Sequence, residues 1–228
     1  PTPPMAKDLD LTPSVREFLL AQSLFFTASA PLKGAHVNLS PKGETPLALP
    51  LPDEPAAAAA RAALARRYGK TAGGKEGKGY AVYLDLGGSG VETVAHLAEP
   101  GNGRMVICFC SFDDKPRIVR LWGYGTSVES DDPSYPDLLT AFPSPLRSRY
   151  GCPSSTPPSS HTLRNIVVLR ISRIRDSCGY GVPRMDFAGD RAVFAERYAA
   201  LGRAEWEAKR REVNGESLDG LPGLMSVV

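Results

Sequence analysis

Three short stretches of this 228-residue chain place polar or charged side chains where they can act together. Asn38-Leu39-Ser40-Pro41-Lys42-Gly43 closes an apparent strand with an amide, a hydroxyl and an ammonium. The two-residue period of a strand puts Asn38 and Ser40 on one face, with Lys42 following at the strand mouth, where the glycine leaves room for another group. That grouping suits an anionic ligand such as a phosphate; the plainer alternative is a strand end with a solvated lysine. Gly87-Gly88-Ser89-Gly90-Val91-Glu92-Thr93 follows a second strand and opens a helix. Free backbone N–H groups and the positive end of the helix dipole make such a turn receptive to phosphate, and Ser89 and Thr93 add hydroxyls. The stretch matches neither the P-loop nor G-x-G-x-x-G. A capping box from Ser89 to Glu92 accounts for the same residues without a ligand. On the strand Pro116–Gly123, Ile118, Arg120 and Trp122 share a face, so Arg120 is either a snorkelling edge residue or an anion anchor.

Other reactive side chains are sparse. A nucleophilic Cys178 in Ser177-Cys178-Gly179-Tyr180-Gly181-Val182-Pro183 would need a base, and no sequence neighbour supplies one. Cys108 and Cys110 point to the same side of a strand and cannot readily bridge each other. No C-x-x-C occurs and no cysteine has a histidine close by, so no zinc or other metal site is expected. His36, His96 and His161 are far apart, and His96 is expected to pair with Glu92 one helical turn earlier rather than act as a general base.

The elements that must carry these residues are mostly strands. Gly and Pro contribute 22 and 21 residues, which favours strands and turns over a helical bundle. Strands are predicted at 23–30, 35–40, 80–86, 104–112, 117–128 and 163–174, largely joined as hairpins. Helices are predicted at 14–20, 56–68, from Ser89 to about Ala98, over 133–142, and from Asp190 through Arg211. Two segments look like insertions, one near 46–79 and a Pro/Ser-rich one near 143–160; Gly69–Gly79 and Pro143–Ser160 are expected to be dispensable for folding. The chain reads as one domain spanning 1–228, mainly β with peripheral helices, forming a six-stranded antiparallel barrel. Strands 104–112 and 163–171, apolar on both faces, are expected to be covered on both.

Composition excludes some classes of partner. Lys and Arg number 27 against 25 Asp and Glu, a balance that gives no electrostatic reason to expect nucleic acid or a membrane surface. No apolar run approaches the ~20 residues of a spanning helix. Phe18–Phe26 with Ala28-Ser29-Ala30 imitates a signal peptide, but Gln22 and Ser23 interrupt it and Asp8, Asp10 and Glu17 precede it. Four scattered cysteines read as free thiols, which suits a reducing interior, and the cytoplasmic compartment is expected.

In order, SLFFTASAPLKGAHVNLSPKG, YLDLGGSGVETVAHL, GRMVICFCSFDDKPRIVRLWGYG and SCGYGVP resemble the pyridoxamine 5'-phosphate oxidase-like family of FMN-binding split barrels, in particular a branch of uncharacterised members. The resemblance covers roughly 15–130 and 163–225. It implies a six-stranded split β-barrel that forms a homodimer and holds FMN at the subunit interface, as an oxidoreductase acting on a small organic substrate. Alternatives are a flavin-binding protein without turnover, or a haem- or deazaflavin-binding relative. Carried over by the matching blocks, Asn38, Ser40 and Lys42 from the SPKG strand, Ser89, Gly90, Glu92 and Thr93 from the helix start, and Arg120 from the RLWG strand are the expected cofactor-binding residues. Members that form pyridoxal phosphate end in a Trp- and Arg-containing segment that holds the substrate's phosphate. Asn214–Leu224 does not resemble that ending, which argues against that particular activity and raises the expectation that this tail covers the partner subunit's site.

Overall fold

A computed structural model describes residues 8–51, 54–69, 77–149, 163–191, 196, 200–201 and 203–225. Eight antiparallel strands form one sheet: β1 (Asp8–Leu9), β2 (Leu24–Ser29), β3 (Asn38–Gly43), β4 (Leu47–Ala48), β5 (Gly79–Leu86), β6 (Arg104–Cys110), β7 (Ile118–Val128) and β8 (Leu163–Ser177). Six are long and correspond to the six expected; β1 and β4 add two residues each. The helices bounded within the described residues are α1 (Pro13–Leu20), α2 (Ala58–Tyr68, after a 3₁₀ turn at Pro55–Ala57), α3 (Glu92–Ala98), α4 (Tyr135–Leu139), α5 (Ser144–Arg149) and α6 (Arg203–Asn214).

The order β3-β2-β6-β7-β8-β5-β4 places β3 and β4 at opposite edges, yet three residues, Glu44–Pro46, join them. Seven flat strands would separate those edges by about 29 Å, whereas the link reaches about 14 Å at most. The sheet must therefore curl until its edges approach, and it does: Lys42 Nζ on β3 lies 2.7 Å from Asp85 Oδ1 on β5. Pro41, which has no N–H to donate, sits where an edge strand tolerates it. The fold is a mainly β, antiparallel split barrel with peripheral helices.

Inside the curl, Phe25, Tyr83, Ile107, Phe109, Leu121, Val167 and Leu169 pack with Val15 and Leu19 of α1. A second core covers part of the outer surface, where Val82, Leu84, Ile166 and Val168 meet Leu64 of α2 and Leu138 and Leu139 of α4. The described part of the 46–79 segment is thus built into the protein rather than looped out: Leu49, Ala60 and Leu64 are fully buried. Its glycine-rich part at 70–76, and 150–162 of the second segment, lie outside the described residues, as does most of the helix expected from Asp190 before α6.

β8 is covered on both faces from Arg164 to Leu169, as expected, but β6 is not. Met105, Ile107 and Phe109 are buried, while Val106, Cys108 and Cys110 remain half-exposed on the outer side. Neither α2 nor α4 reaches that side; their core residues come from β4, β5, β7 and β8. The outer face left open runs across three strands in register, Phe26–Cys108–Arg120 and Val106–Trp122, with Ile118 beside Cys110.

Candidate functional site

Lys42 belongs to the inward face of β3, opposite the buried Phe25, and Ser40 lies opposite the buried Thr27. Curling brings this face against the end of β5. There Asp85, with its side chain 1% exposed, accepts from Lys42 Nζ at 2.7 Å and from Arg164 Nε at 2.9 Å. Arg164 also donates from Nη1 to the Gly90 carbonyl at 2.6 Å, which ties β8 to the glycine-rich turn. Burial alone would raise the Asp85 carboxyl, but the Arg164 guanidinium and then the Lys42 ammonium outweigh it and hold the group below the ordinary carboxylate range. Two cations share one carboxylate, so the cluster carries an excess positive charge.

Beside it runs a directional hydrogen-bond chain. Ser40 Oγ donates to Asn38 Oδ1 at 3.2 Å, and Asn38 Nδ2 donates to Thr93 Oγ1 at 2.8 Å. The Ser40 proton is engaged, while the Thr93 hydroxyl keeps its own proton for another acceptor. Ser40, Lys42, Gly90, Glu92, Thr93 and Arg164 all line one cavity of about 690 Å³, within the range of small-molecule sites. Leu24, Leu86 and Phe187 supply apolar wall. Of its charged lining residues Arg164 is buried, Lys42, Glu44 and Glu92 are half-buried, and Asp190 and Arg191 are exposed.

Of the eight residues expected to bind a cofactor, Ser40, Lys42, Gly90, Glu92 and Thr93 line this cavity, and Asn38 supports it through Ser40 and Thr93. Ser89 is exposed and outside the cavity lining. Arg120 is not brought to it. Its cross-strand neighbours are Cys108 and Arg175 on the outer side of the sheet, and its Nη1 reaches Ser177 Oγ at 3.3 Å. Strand parity decides this, because Val119 and Leu121 take the inward positions on β7. Arg164 was not singled out in the sequence. An arginine in the otherwise apolar run Leu163–Leu169 is the signal that marks it, since a buried guanidinium must be paired.

Two local expectations are corrected. The capping box does not form: α3 begins at Glu92, its N-cap Val91 offers no side-chain bond, and Glu92 Oε1 instead accepts from the Leu218 N–H at 3.3 Å. His96 does not pair with Glu92; its Nδ1 meets Ser29 Oγ at 2.9 Å, and burial pushes the imidazole down. The C-terminal tail packs on its own subunit: Asp219 accepts from the Ala35 and His36 N–H groups and lies 2.7 Å from His36 Nδ1, while Leu224 packs on Val91 and Val94. Cys108, Cys110 and Cys178 are free thiols, and burial pushes Cys108 up to about 11, too high for a resting thiolate. Cys152 and His161 lie outside the described residues. Among the described residues no cluster of three or more His, Cys, Asp or Glu side chains is placed to hold a metal, and no helix is long and apolar enough to cross a membrane.

The curled antiparallel sheet, with its edges drawn together beside the cavity, defines a split-barrel fold. The chain belongs to the pyridoxamine 5'-phosphate oxidase family: it is 35% identical, over 232 residues, to the pyridoxamine 5'-phosphate oxidase family protein ustO of Aspergillus flavus, covering 96% of this chain and 77% of that one. No family model matches the sequence. Similar solved structures include a pyridoxamine 5'-phosphate oxidase-related, FMN binding protein of Nostoc punctiforme (11% identity, 74% and 86% of the two chains, TM-score 0.41). Others are an FAD binding protein of Mycobacterium smegmatis (11%, 75% and 97%, 0.38) and the haem storage protein HutZ of Vibrio cholerae (12%, 72% and 91%, 0.35). None of these superpositions is close enough to transfer a ligand.

Proposed function

We propose that this protein binds FMN in the Lys42–Arg164 cavity and acts as a flavin-dependent oxidoreductase on a small organic substrate. The observation that carries this is the pair of cations sharing the buried Asp85, Arg164 buried and Lys42 half-buried, side by side on the wall of a cavity large enough for a mononucleotide. The donor set fits a phosphate. Lys42 has three N–H donors and spends one on Asp85, Arg164 keeps donors beyond those given to Asp85 and Gly90, and Thr93 has a free hydroxyl proton. Ser40 and Asn38 orient Thr93 rather than bind directly. Bound FMN supplies the electron-transfer chemistry, and the protein contributes placement and electrostatics. The haem alternative lacks support at this cavity among the described residues, since His36 is engaged by Asp219 and His96 by Ser29.

The purified protein is expected to carry a flavin or to take up FMN in a fluorescence titration, and the loaded protein to oxidise reduced nicotinamide or a vitamin B6 compound. A Soret band, or no FMN binding at all, would overturn the cofactor; binding without turnover on any such donor would leave a flavin carrier.

The same reading includes a homodimer. The open outer face holds Phe26, Val106, Ile118 and Trp122, all half-exposed, and an apolar sheet face of this kind calls for cover. A second copy laid there would also desolvate Arg120. Sedimentation at micromolar concentration should give a dimer, and Trp122→Glu should shift it to monomer. A parent protein that sediments as a monomer while holding FMN tightly would rule this out.

A further inference from the structure

The Ser177–Pro183 motif is not used by the phosphate end of the cavity, yet the segment it launches ends up in the cavity wall. Gly179 anchors it: φ is +66°, and a Cβ there would lie 2.6 Å from the Arg117 backbone nitrogen, so only glycine lets the chain pass so close to the start of β7. Beyond that point close steric contact ends, although Gly189 also has a positive φ, +130°. A Cβ added at Gly181 or Gly189 would meet nothing within 4 Å. The hydrogen bonds Val182 N–H to Gly179 O and Met185 N–H to Phe112 O, with an Arg184–Asp114 ion pair whose side chains are each 78% exposed, hold the stretch between. An ion pair so exposed adds little. This weakly held stretch nevertheless carries Met185 and Phe187, exposed by 61% and 63%, and Phe187 lines the same cavity as Lys42 and Arg164.

We infer that residues 181–189 are a lid, pivoting at Gly181 and Gly189, and that Phe187 closes it over the planar ring of the ligand whose anionic end is held by Lys42 and Arg164. This rests on the proposed FMN site and adds its second half: charge grips one end, and an exposed aromatic awaiting cover takes the other. An uncovered phenyl ring at a cavity mouth gains most from a flat aromatic partner, which it can meet in an offset or edge-on arrangement.

The test uses the full chain, with FMN and riboflavin as probes. Phe187→Ala should weaken both flavins by the same factor, about 2- to 10-fold, because the contact is to the ring, and Phe187→Tyr should restore the affinity. Trypsin cleavage after Arg184, followed by fragment mass, should slow about tenfold at FMN tenfold above its Kd if only the open lid is cut. Parent protein that binds FMN, with Phe187→Ala binding both flavins as tightly or with cleavage unslowed by FMN, overturns the lid and leaves the phosphate site standing. Parent protein that binds no FMN overturns both.

Discussion

Asp85→Asn is expected to destabilise the protein by about 3–5 kcal/mol, the usual cost of removing one partner from a buried ion pair. The carboxylate is 1% exposed and is the shared acceptor for Lys42 and Arg164, whose side chains are 14% and 5% exposed. Without it, two cations face each other near the site where the sheet edges meet, and the clasp from β3 to β5 and β8 is lost together. Urea unfolding followed by far-ultraviolet circular dichroism would measure the loss. The effect has a pH signature. Because the folded-state pKa is depressed, the stabilisation is fully present above the unfolded value of about 3.9 and is lost as pH falls through the folded value. The gap between parent and variant should therefore be full at neutral pH and narrow in acid below about pH 4. Combining Asp85→Asn with Lys42→Met should cost less than the sum of the two, since the second change removes a cation the first had stranded. Strict additivity, or an Asp85→Asn protein as stable as the parent, would mean that the triad does not hold the sheet edges together.

Lys42→Met is expected to weaken FMN binding about 10- to 150-fold, the equivalent of one hydrogen bond to a charged group. Riboflavin, which lacks the phosphate, should bind the parent poorly and be nearly indifferent to the change. That contrast separates lost phosphate contact from damage to the fold, and it is needed because Lys42 also serves Asp85. Arg164 stays with Asp85 in the variant, so the protein should still fold, which a melting curve would check. Lys42→Arg keeps the charge and should recover part of the affinity. Salt should weaken FMN more than riboflavin, though modestly, because a side chain only 14% exposed is poorly screened. Equal FMN affinity in parent and Lys42→Met would make Lys42 a structural partner of Asp85 and nothing more.

Much of the architecture was legible from local pattern. Apolar runs and alternation bounded by turn residues located the six long strands, and the helix at 56–68 appeared within two residues of its observed start. The two-residue period placed Asn38 and Ser40 on one face, where the structure keeps them, and the observed strand runs on to Gly43 so that Lys42 joins that face. Tertiary structure decided everything that depends on curling. Sequence spacing carries no information on which face of a sheet becomes the inside, so Lys42 and Arg120, both basic residues on strands, looked equivalent; curling turned one into the barrel and the other out. It also chose the partners. Glu92 sits three residues after Ser89 and four before His96, and local spacing assigned it to both, yet it bonds Leu218, 126 residues away, while His96 finds Ser29 across 67 residues. Arg164 and Asp85, 79 residues apart, meet for the same reason. A charge buried by long-range packing must find whichever counter-charge that packing delivers, and the identity of that partner is a property of the closed sheet rather than of any segment within it.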